Sequence, residues 1–480
     1  MHRTPALALM LLALSSARPV RAQGGDDVPD PAPEAEAEGD VDVDVGADIE
    51  ALRARLAQQE AELAALRQAL FPDPEGDAAE EADPEAPGEE GTSDEGGVLS
   101  TRQPIGRFPD DSIVRSGDFD RSIKVPSTDL SFRIGGLVRL ELAFDADHLG
   151  PAAVVSNVAI PLDGSEPDGD QQIDFSARDS RINFDFRHTT DYTNFRAFIE
   201  ADFFGTGTEA LSGYGFRLRH AVAQLGPLVV GQWWSAFADT RSFPENSALG
   251  GPLAAPAARQ PSLRLTDVFG AEDRWRLVLS IENPVLDLSD DNERARDEER
   301  VPDVLAAVAM DYPLVRLRVA LLGRVLESRD DRSVAGGMNL SGRLQLPFLS
   351  KHGDNLAFQA QVGTGIGRYY VGLAGTGADG VIAADGSVNP MRTFGGYLAL
   401  QHWWTERLRS TATVSYQRFD PVDASVLVPL RHAGYYAINL FWTPTEGATF
   451  GVDAIYATRR TSQGDFGAGL RIHSSARFDF

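Results

Sequence analysis

From Leu130 to the end of the chain, apolar and polar side chains alternate with a period of two. This period is that of a β-strand whose two faces meet different surroundings. One face carries arginines and acids and the other aliphatic and aromatic residues, as in the stretches 132–144, 181–187, 274–282 and 466–480. A soluble β-sandwich also alternates, but its polar face would rarely hold so many charges. We therefore predict an all-β fold, a transmembrane antiparallel barrel whose apolar face contacts lipid.

The connections between these stretches alternate in length. Short ones are predicted at 188–192, 226–227, 269–273, 313–314, 349–355, 404–408 and 443–448. Mostly longer, polar ones lie between them, at 145–176, 205–213, 235–261, 284–302, 326–332, 371–391, 420–432 and 460–464. Such alternation is typical of periplasmic turns and extracellular loops. It predicts about 16 strands, each with room for the roughly 9–11 residues that a tilted strand needs to span a bilayer.

The first residues predict export. His2 and Arg3 are basic, residues 6–14 form a short apolar stretch, and Val20 and Ala22 place small residues at a cleavage site. We expect a signal peptide at 1–22 and an outer-membrane location, with the N-terminal segment in the periplasm. The sequence has no cysteine, which excludes a cysteine-linked lipid anchor and disulfides. No apolar run of about 18 residues follows the signal, so no transmembrane helix is predicted.

The negative charge is concentrated near the N-terminus. The chain has a formal net charge of -27, and residues 1–128 hold 11 Lys and Arg against 28 Asp and Glu. We expect an acidic disordered segment at 23–47 and an acidic linker and barrel lead-in at 71–129, followed by the barrel at 130–480. Neither part shows a basic stripe, so nucleic acid is not an expected partner.

A coiled coil is predicted between the two acidic segments, at 48–70. Its apolar residues recur in steps of three and four, as at positions a and d of a heptad; they are Ile49, Leu52, Leu56, Leu63, Leu66 and Leu70. The charges at the flanking positions match those of a parallel neighbour. A lone amphipathic helix on a domain surface is the alternative, but acidic flanks offer no such surface. We predict that these six residues mediate oligomerisation.

The chain stops on an aromatic residue, Phe480, in step with Phe478 on the apolar face of the last predicted strand. A terminal aromatic on a final amphipathic strand resembles the signal that the barrel-assembly machinery of bacterial outer membranes recognises. A buried C-terminal strand is the alternative. Aromatics near other predicted strand ends indicate girdles at the membrane interfaces; they are Trp233, Trp234, Tyr369, Tyr370, Trp403, Trp404 and Trp442.

Several motifs resemble those of DcaP-type porins, the dicarboxylate-associated outer-membrane family, and occur in the same order. They are RSIKVPSTD at 121–129, FRIGG at 132–136, RAFIEADFFG at 196–205, LRHA at 218–221, GQWWSAF at 231–237, RQP at 259–261 and IENP at 281–284. The resemblance covers roughly residues 115–480 and is strongest up to 284. It implies a homotrimer of 16-stranded barrels with an N-terminal coiled coil, and uptake of small anionic solutes. Phosphate-selective porins are a more distant resemblance.

Side-chain parity predicts which charges line the pore. With the apolar set facing lipid, ten arginines point inward: Arg139, Arg181, Arg196, Arg217, Arg219, Arg264, Arg274, Arg276, Arg316 and Arg318. Arginine stays charged and its planar fork matches carboxylate and phosphate, so selection of anions is expected. The alternative is that these arginines pair with Glu141, Asp185, Glu200, Asp202 and Glu282 and brace the barrel wall.

The connection 235–261 is the third long one, which in 16-stranded porins commonly folds into the lumen. Its Pro244, its Gly-Gly-Pro at 250–252 and its Ala-rich end favour a compact fold against the wall. Arg241, Glu245 and Arg259 are its candidate pore-facing charges. An ordinary exposed loop is the alternative.

Enzyme motifs are absent from the sequence. There is no HExxH, GxSxG, Walker or CxxC pattern, and the eight histidines show no metal-ligand spacing. We expect no catalytic residue, metal or cofactor, with a hydrolase assembled from distant Ser and His as the enzymatic alternative. The leading hypothesis is a passive trimeric porin for small anions such as dicarboxylates. A general, weakly selective pore and a structural envelope tether anchored by the barrel are the other hypotheses.

Overall fold

The structure is a computed structural model, and it describes residues 115–480 apart from 126–127, 153, 166–168, 170, 190–193, 209–212, 290–299, 351 and 421–429. The predicted signal peptide, acidic segment and coiled coil, with its six apolar residues, lie outside the described residues. So does the linker up to residue 114. Cleavage, disorder and oligomerisation in these segments stay predictions.

Within the described residues, sixteen antiparallel strands form one closed barrel. They are β1 (Leu130–Asp145), β2 (Arg181–Thr189), β3 (Asn194–Asp202), β4 (Arg217–Leu225), β5 (Leu228–Trp234), β6 (Arg259–Phe269), β7 (Trp275–Glu282), β8 (Asp303–Asp311), β9 (Val315–Glu327), β10 (Arg332–Gln345), β11 (Asn355–Thr364), β12 (Arg392–Trp403), β13 (Leu408–Asp420), β14 (Leu430–Thr445), β15 (Ala448–Thr461) and β16 (Phe466–Asp479). The short segment Gln172–Ser176 continues the β2 position along β1. The all-β barrel predicted from the alternation is confirmed.

The last strand closes the barrel against the first. Asp479 of β16 lies opposite Leu137 of β1, and the backbone N–H groups of Phe480 and Gly136 each donate to the other's carbonyl, at 3.1 Å. Closure leaves no unpaired strand edge in the ring. The side chain of Phe480 is exposed on the outer wall, which differs from a buried C-terminal strand.

Most connections alternate in length around the barrel, as predicted, although 328–331 and 462–465 at the loop end are shorter than 346–354 at the turn end. One end carries short turns, such as 226–227 and 446–447. The opposite end carries loops that we name L1 (146–171), L3 (235–258), L4 (283–302) and L6 (365–391). We assign the end with the longer loops to the extracellular side, since barrels of this kind keep short turns in the periplasm.

Apolar side chains cover the outer wall. Val138, Leu140, Val414, Ile438 and Val452 are about half exposed, although each lies within a paired strand. This exposure is expected for residues that contact lipid. Among the described residues, no helix is long and apolar enough to cross a membrane.

The prediction of aromatic girdles is only partly correct. Trp404 and Trp442 are exposed at the short-turn end of the outer wall. Tyr369 and Tyr370 are instead buried in L6 and do not lie at a strand end. Trp233 packs on His220 inside the wall, with ring centroids 4.1 Å apart. The prediction is therefore wrong for these three residues, which lie inside the barrel and not at a membrane interface.

The height of the barrel wall varies. Strands β2 to β5 have 7 to 9 residues, whereas β13 to β16 have 13 to 16. A tilted strand needs roughly 9–11 residues to cross the hydrocarbon core. The low wall, formed by β2 to β5, is therefore only just long enough to cross the hydrocarbon core.

The apolar core of the molecule lies inside the barrel. Buried side chains of L1, L3 and L6 pack together, among them Leu149, Phe237, Leu253, Tyr369 and Tyr370, and they rest on the inner wall at β8, β9 and β13 to β15. Gly251 of L3 touches the Tyr435 ring so closely that any side chain there would overlap it. Inward-folded loops thus fill one side of the lumen.

Minor elements join the loops. Gly207–Thr208 and Gly213–Tyr214 form a hairpin between β3 and β4. Leu288–Ser289 of L4 pairs with Gly380–Ile382 of L6, which pairs with Val388–Pro390. Arg115–Ser116 and Ile123–Lys124 form a ribbon on the start of β1. Single 3-10 turns occupy Thr240–Ser242, Ala271–Asp273 and Gly367–Tyr369.

Candidate functional site: an arginine-lined lumen

The inner wall of β1 to β4 is built from carboxylates that each bind two arginines. Asp185 of β2 accepts hydrogen bonds from Arg187, at 2.8 Å, and from Arg196 of β3, at 2.9 Å. The pairing of β2 with β3 explains this arrangement, because Arg187 lies directly opposite Arg196 and Asp185 is two residues along on the same face.

Two further carboxylates repeat the arrangement. Asp202 at the end of β3 accepts from Arg217 and Arg219 of β4, both at 2.7 Å. Asp179, just before β2, accepts from Arg139 of β1 at 2.9 Å and from Arg181 at 2.7 Å. The predicted bracing of the wall by acid–arginine pairs therefore occurs, although Asp179 was not among the predicted partners.

The two members of each pair differ in their access to water. The side chains of Asp179, Asp185 and Asp202 are 0% exposed. Those of Arg187, Arg196 and Arg217 are 22%, 31% and 41% exposed. The carboxylates thus lie behind the guanidinium groups. On this part of the wall, the charged groups that are most accessible to water are guanidinium groups.

An irregularity between β3 and β4 changes the role of one predicted residue. The strand register shifts between Glu200 and Ala201, so that Arg219 has no partner residue on β3. Arg219 and His220 are both buried, and Arg219 binds Glu200 and Asp202, each at 2.7 Å. Strict alternation does not predict two consecutive buried residues. Arg219 therefore braces the wall and has almost no contact with the lumen.

Strands β6 and β7 carry arginines that do not share a buried aspartate with a second arginine. Arg264 donates to the Trp234 carbonyl at 2.6 Å and lies 3.5 Å from Glu282. Arg276, on β7, forms no ion pair with any described residue. Its guanidinium lies within electrostatic range of Arg241, Asp311 and Arg316.

Arg259 and Arg274 are placed differently from the predictions. Arg259 is the first residue of β6 and not part of the loop, which ends at 258. Its guanidinium stacks over the Trp234 ring, 4.9 Å from the centroid. Arg274 lies outside the strands, in the turn before β7, where it pairs with Glu272 and stacks over Tyr312. Arg274 is therefore not a strand residue of the lumen wall, because alternation does not continue through a turn.

Loop L3 is attached to the inner wall at many points. Arg316 of β9 pairs with Asp239 at 2.5 Å, and Arg318 donates to the Ala236 carbonyl. Asn339 donates to the Phe237 carbonyl at 2.7 Å and Gln359 to the Asp239 carbonyl at 2.9 Å. These contacts hold L3 against β9 to β11, so the loop does not project into solvent. Arg316 and Arg318 serve chiefly as anchors of the loop.

The predicted charges of L3 both find partners. Arg241 pairs with Asp311 at 3.1 Å, and both side chains are about one-third exposed. Glu245 pairs with Arg409 of β13 at 2.5 Å and accepts a hydrogen bond from Gln401 at 3.1 Å. Arg241 remains accessible to the lumen, whereas Glu245 is tied to the wall.

Loop L6 is held by a buried cluster that the sequence did not single out. Arg324 of β9 lies 2.8 Å from Asp379 of L6 and 3.3 Å from Asp303 of β8. The Tyr369 hydroxyl donates to Asp303 at 2.7 Å. All four side chains are buried. Their pairing across L6, β8 and β9 has no local sequence signal.

Other lumen residues were missed although a signal existed. Arg187 has the same parity as Arg181 on β2, and Arg343 and Arg409 point inward on β10 and β13, where Arg343 donates to the Phe243 carbonyl at 3.0 Å. Parity alone would have included all three. Among the described residues, no cluster of three or more His, Cys, Asp or Glu is arranged to hold a metal ion.

The closed barrel, the polar inner wall and the inward-folded loops give this chain the architecture of outer-membrane porins. Residues 110–331 match the model of the DcaP outer membrane protein family, and the family resemblance drawn from the motifs is thereby confirmed.

The fold is also that of solved channels. The outer membrane channel DcaP of Acinetobacter baumannii superposes with a TM-score of 0.65 and 19% identity, over 76% of this chain and 100% of that chain. The anion-selective porin from Comamonas acidovorans superposes with a TM-score of 0.50 and 10% identity, over 73% of this chain and 100% of that chain. No curated protein matches the chain significantly in sequence.

Proposed function

We propose that this chain is a passive diffusion porin for small anionic solutes, with dicarboxylates as the favoured class. The observation that carries the proposal is the unequal exposure of the paired charges. Arg187, Arg196 and Arg217 face water, while their partners Asp185 and Asp202 are fully buried. A confined, low-dielectric wall focuses such a field on the lumen.

This arrangement reconciles anion preference with an acidic chain. Some acids lie on exposed loops, such as Asp163 of L1 and Asp330 and Asp331 between β9 and β10, where water and salt screen them. Inside the lumen, Arg259 and Arg276 have no acid partner among the described residues. Arg259 is also within electrostatic range of Arg217. Wall bracing and anion attraction are therefore compatible, because one guanidinium can bind a buried acid and still present its edge to a solute.

Dicarboxylates fit this surface better than monovalent anions. Two of the water-accessible arginines, Arg187 on β2 and Arg196 on β3, lie directly opposite each other, and Arg217 lies on β4, opposite Asp202 at the other end of β3. A solute with two carboxylates can bind two guanidinium groups at once, each through charge-assisted hydrogen bonds. L3 narrows the opposite side, so the solute passes close to this wall.

A homotrimer in the outer membrane is part of the proposal. The low wall at β2 to β5, with 7 to 9 residues per strand, suits contact with a second copy better than contact with lipid. We further propose that signal peptide 1–22 directs export, that the coiled coil at 48–70 reinforces the trimer from the periplasm, and that the barrel-assembly machinery recognises Phe480.

Solute flux into liposomes tests the proposal. The protein should pass a four-carbon dicarboxylate faster than a neutral sugar of similar size, and a diamine slowest. Arg187→Gln/Arg196→Gln/Arg217→Gln should reduce the dicarboxylate advantage and leave sugar flux nearly unchanged. Equal rates for the three solutes would indicate a general pore, and no flux at all would favour an envelope tether.

A further inference from the structure

The outer wall carries a row of basic side chains at the end with the longer loops. Arg418 of β13 lies opposite His432 of β14, and His432 lies opposite Arg460 of β15. These residues have the parity of Val414, Ile438 and Val452, which are exposed on the outer wall. The row therefore faces the membrane at the level of the outer-leaflet headgroups.

An open cleft of about 290 Å³ lies directly beside this row, and we name it the rim cleft. Its lining includes Tyr416, Tyr436, Phe466, His432 and Arg460. Gly434 forms part of its floor, and a Cβ there would come within 2.7 Å of the Thr458 hydroxyl. The cleft thus combines aromatic walls with basic groups at its edge.

The groups around the rim cleft leave an excess of positive charge. Arg460 stacks over the Phe466 ring at 5.8 Å and forms no ion pair with a described residue. Arg418 pairs with Asp420 at 2.8 Å, with both side chains about half exposed. His432 accepts from or donates to the Tyr416 hydroxyl at 2.6 Å, and Arg431 also lies within its electrostatic range. Asp465 accepts a hydrogen bond from the Thr461 hydroxyl at 3.0 Å and keeps its charge, so Asp420 and Asp465 stand against Arg418, Arg431 and Arg460.

We propose that the rim cleft binds a phosphorylated glycolipid of the outer leaflet. The phosphate lies against Arg418, His432 and Arg460, and an acyl chain lies against Tyr416, Tyr436 and Phe466. Guanidinium groups bind phosphate in a bidentate manner, and basic pockets at a membrane surface bind lipid headgroups. This site is independent of the solute that the pore passes.

The height of the wall favours lipid over a second copy of the chain as the occupant. Strands β13 to β15 have 13, 16 and 14 residues, enough to span the hydrocarbon core with a tilt. The low wall at β2 to β5, where we place the contact between copies, is on other strands. The aromatic lining also favours a lipid over a free phosphate ion, which would gain nothing from it.

Native mass spectrometry of the full-length protein in detergent tests the proposal. The probes are bisphosphorylated lipid A, the same acylated disaccharide without phosphates, and inorganic phosphate. The wild type should bind the phosphorylated lipid at least about ten-fold more tightly than the dephosphorylated one. Arg418→Gln/Arg460→Gln should lose about thirty-fold in affinity, since each of the two basic groups contributes about 1 kcal/mol near a membrane surface and each 1.4 kcal/mol is about a factor of ten. Arg418→Lys/Arg460→Lys should retain most of the binding, and Arg407→Gln, at an exposed short turn, should bind as the wild type does.

Three results would overturn the inference. Equal affinity of the wild type and Arg418→Gln/Arg460→Gln would remove the phosphate site. Displacement of the lipid by an equal concentration of inorganic phosphate would make it a free-anion site. A change of oligomeric state in the double variant, without a change in lipid binding, would make the cleft an interface between copies. Heat-modifiable migration in gels checks that each variant is folded.

Discussion

At the scale of single residues, the arginines of the lumen form two groups, which differ in whether the guanidinium is exposed to water or buried. Arg187, Arg196 and Arg217 have a buried carboxylate on one side and water on the other. Arg219 and Arg318 are themselves buried and hold strands or L3 in place. The same residue type therefore attracts solute at some positions and stabilises the fold at others. Substitution separates the two roles.

Asp202 provides the clearest test of the bracing role. It lies fully buried between Arg217 and Arg219, and breaking a buried ion pair by removing one partner costs roughly 3 kcal/mol or more. We expect Asp202→Asn to lower the temperature at which the barrel unfolds, measured by heat-modifiable migration. Asp330→Asn, on an exposed loop, is the control. An unchanged unfolding temperature for Asp202→Asn would show that the pair does not brace the wall.

Two loop carboxylates differ in their response to pH. Burial would raise the pKa of Asp239, but the ion pair with Arg316 holds it below its ordinary value. Burial raises the pKa of Asp379 to about 6, despite the nearby Arg324. Between pH 6 and the ordinary Asp pKa of about 3.9, folded Asp379 therefore holds more protons than unfolded Asp379. Its contribution to stability consequently increases as the pH falls through this window.

We expect Asp379→Asn to flatten the pH dependence of barrel stability between pH 7.5 and 5. Asp239→Asn should instead lower stability at both pH values, because Arg316 loses one of its two carboxylate partners and keeps only Asp311. Thermal unfolding followed by circular dichroism at the two pH values measures both effects. If Asp379→Asn keeps the pH dependence of the wild type, the assigned titration is incorrect.

At the scale of elements, the structure depends on how loops dock on strands. L3 is held by backbone carbonyls that accept hydrogen bonds from wall side chains, notably Asn339 and Gln359. The two side chains also hydrogen-bond each other across β10 and β11, at 3.0 Å, but the pairing of these strands is made by the backbone. The barrel can therefore form while the position of the loop varies.

Asn339→Ala/Gln359→Ala should loosen L3 and leave the barrel folded. We expect a larger and noisier single-channel conductance and passage of bulkier sugars, because the loop no longer narrows the lumen as tightly. Gln345→Ala, at the exposed end of β10, is the matched control. Conductance and size limit equal to those of the wild type would show that L3 is held by its other contacts or does not narrow the pore.

The heptad segment yields a separate prediction at this scale. A peptide spanning residues 45–72 should be helical and self-associating, because Leu56, Leu63 and their heptad partners form an apolar seam. Sedimentation of the peptide, with Leu56→Ser/Leu63→Ser as the control, measures this. A monomeric wild-type peptide would remove the coiled coil from the account.

At the scale of the whole molecule, the barrel could be predicted from the sequence and much of its interior could not. Alternation and connection lengths are local, and they indicated the strands. The ion pair between Asp185 and Arg187 could also have been predicted, since residues two apart on a strand share a face. The shift at Glu200, the docking of L3 and the burial of Tyr369 depend on contacts between distant segments. Arg274 was misplaced because the alternation of inward and outward side chains does not continue through a turn.

The positive charge that we propose for the lumen wall is a property of the whole molecule. The measurement that tests it most directly is the reversal potential of the reconstituted protein in a planar bilayer under a salt gradient. The wild type should have a reversal potential with the sign of anion preference. Arg187→Gln/Arg196→Gln/Arg217→Gln should shift it toward cations, and Arg407→Gln should leave it unchanged. A wild-type potential with the sign of cation preference, or a triple variant indistinguishable from the wild type, would contradict the account.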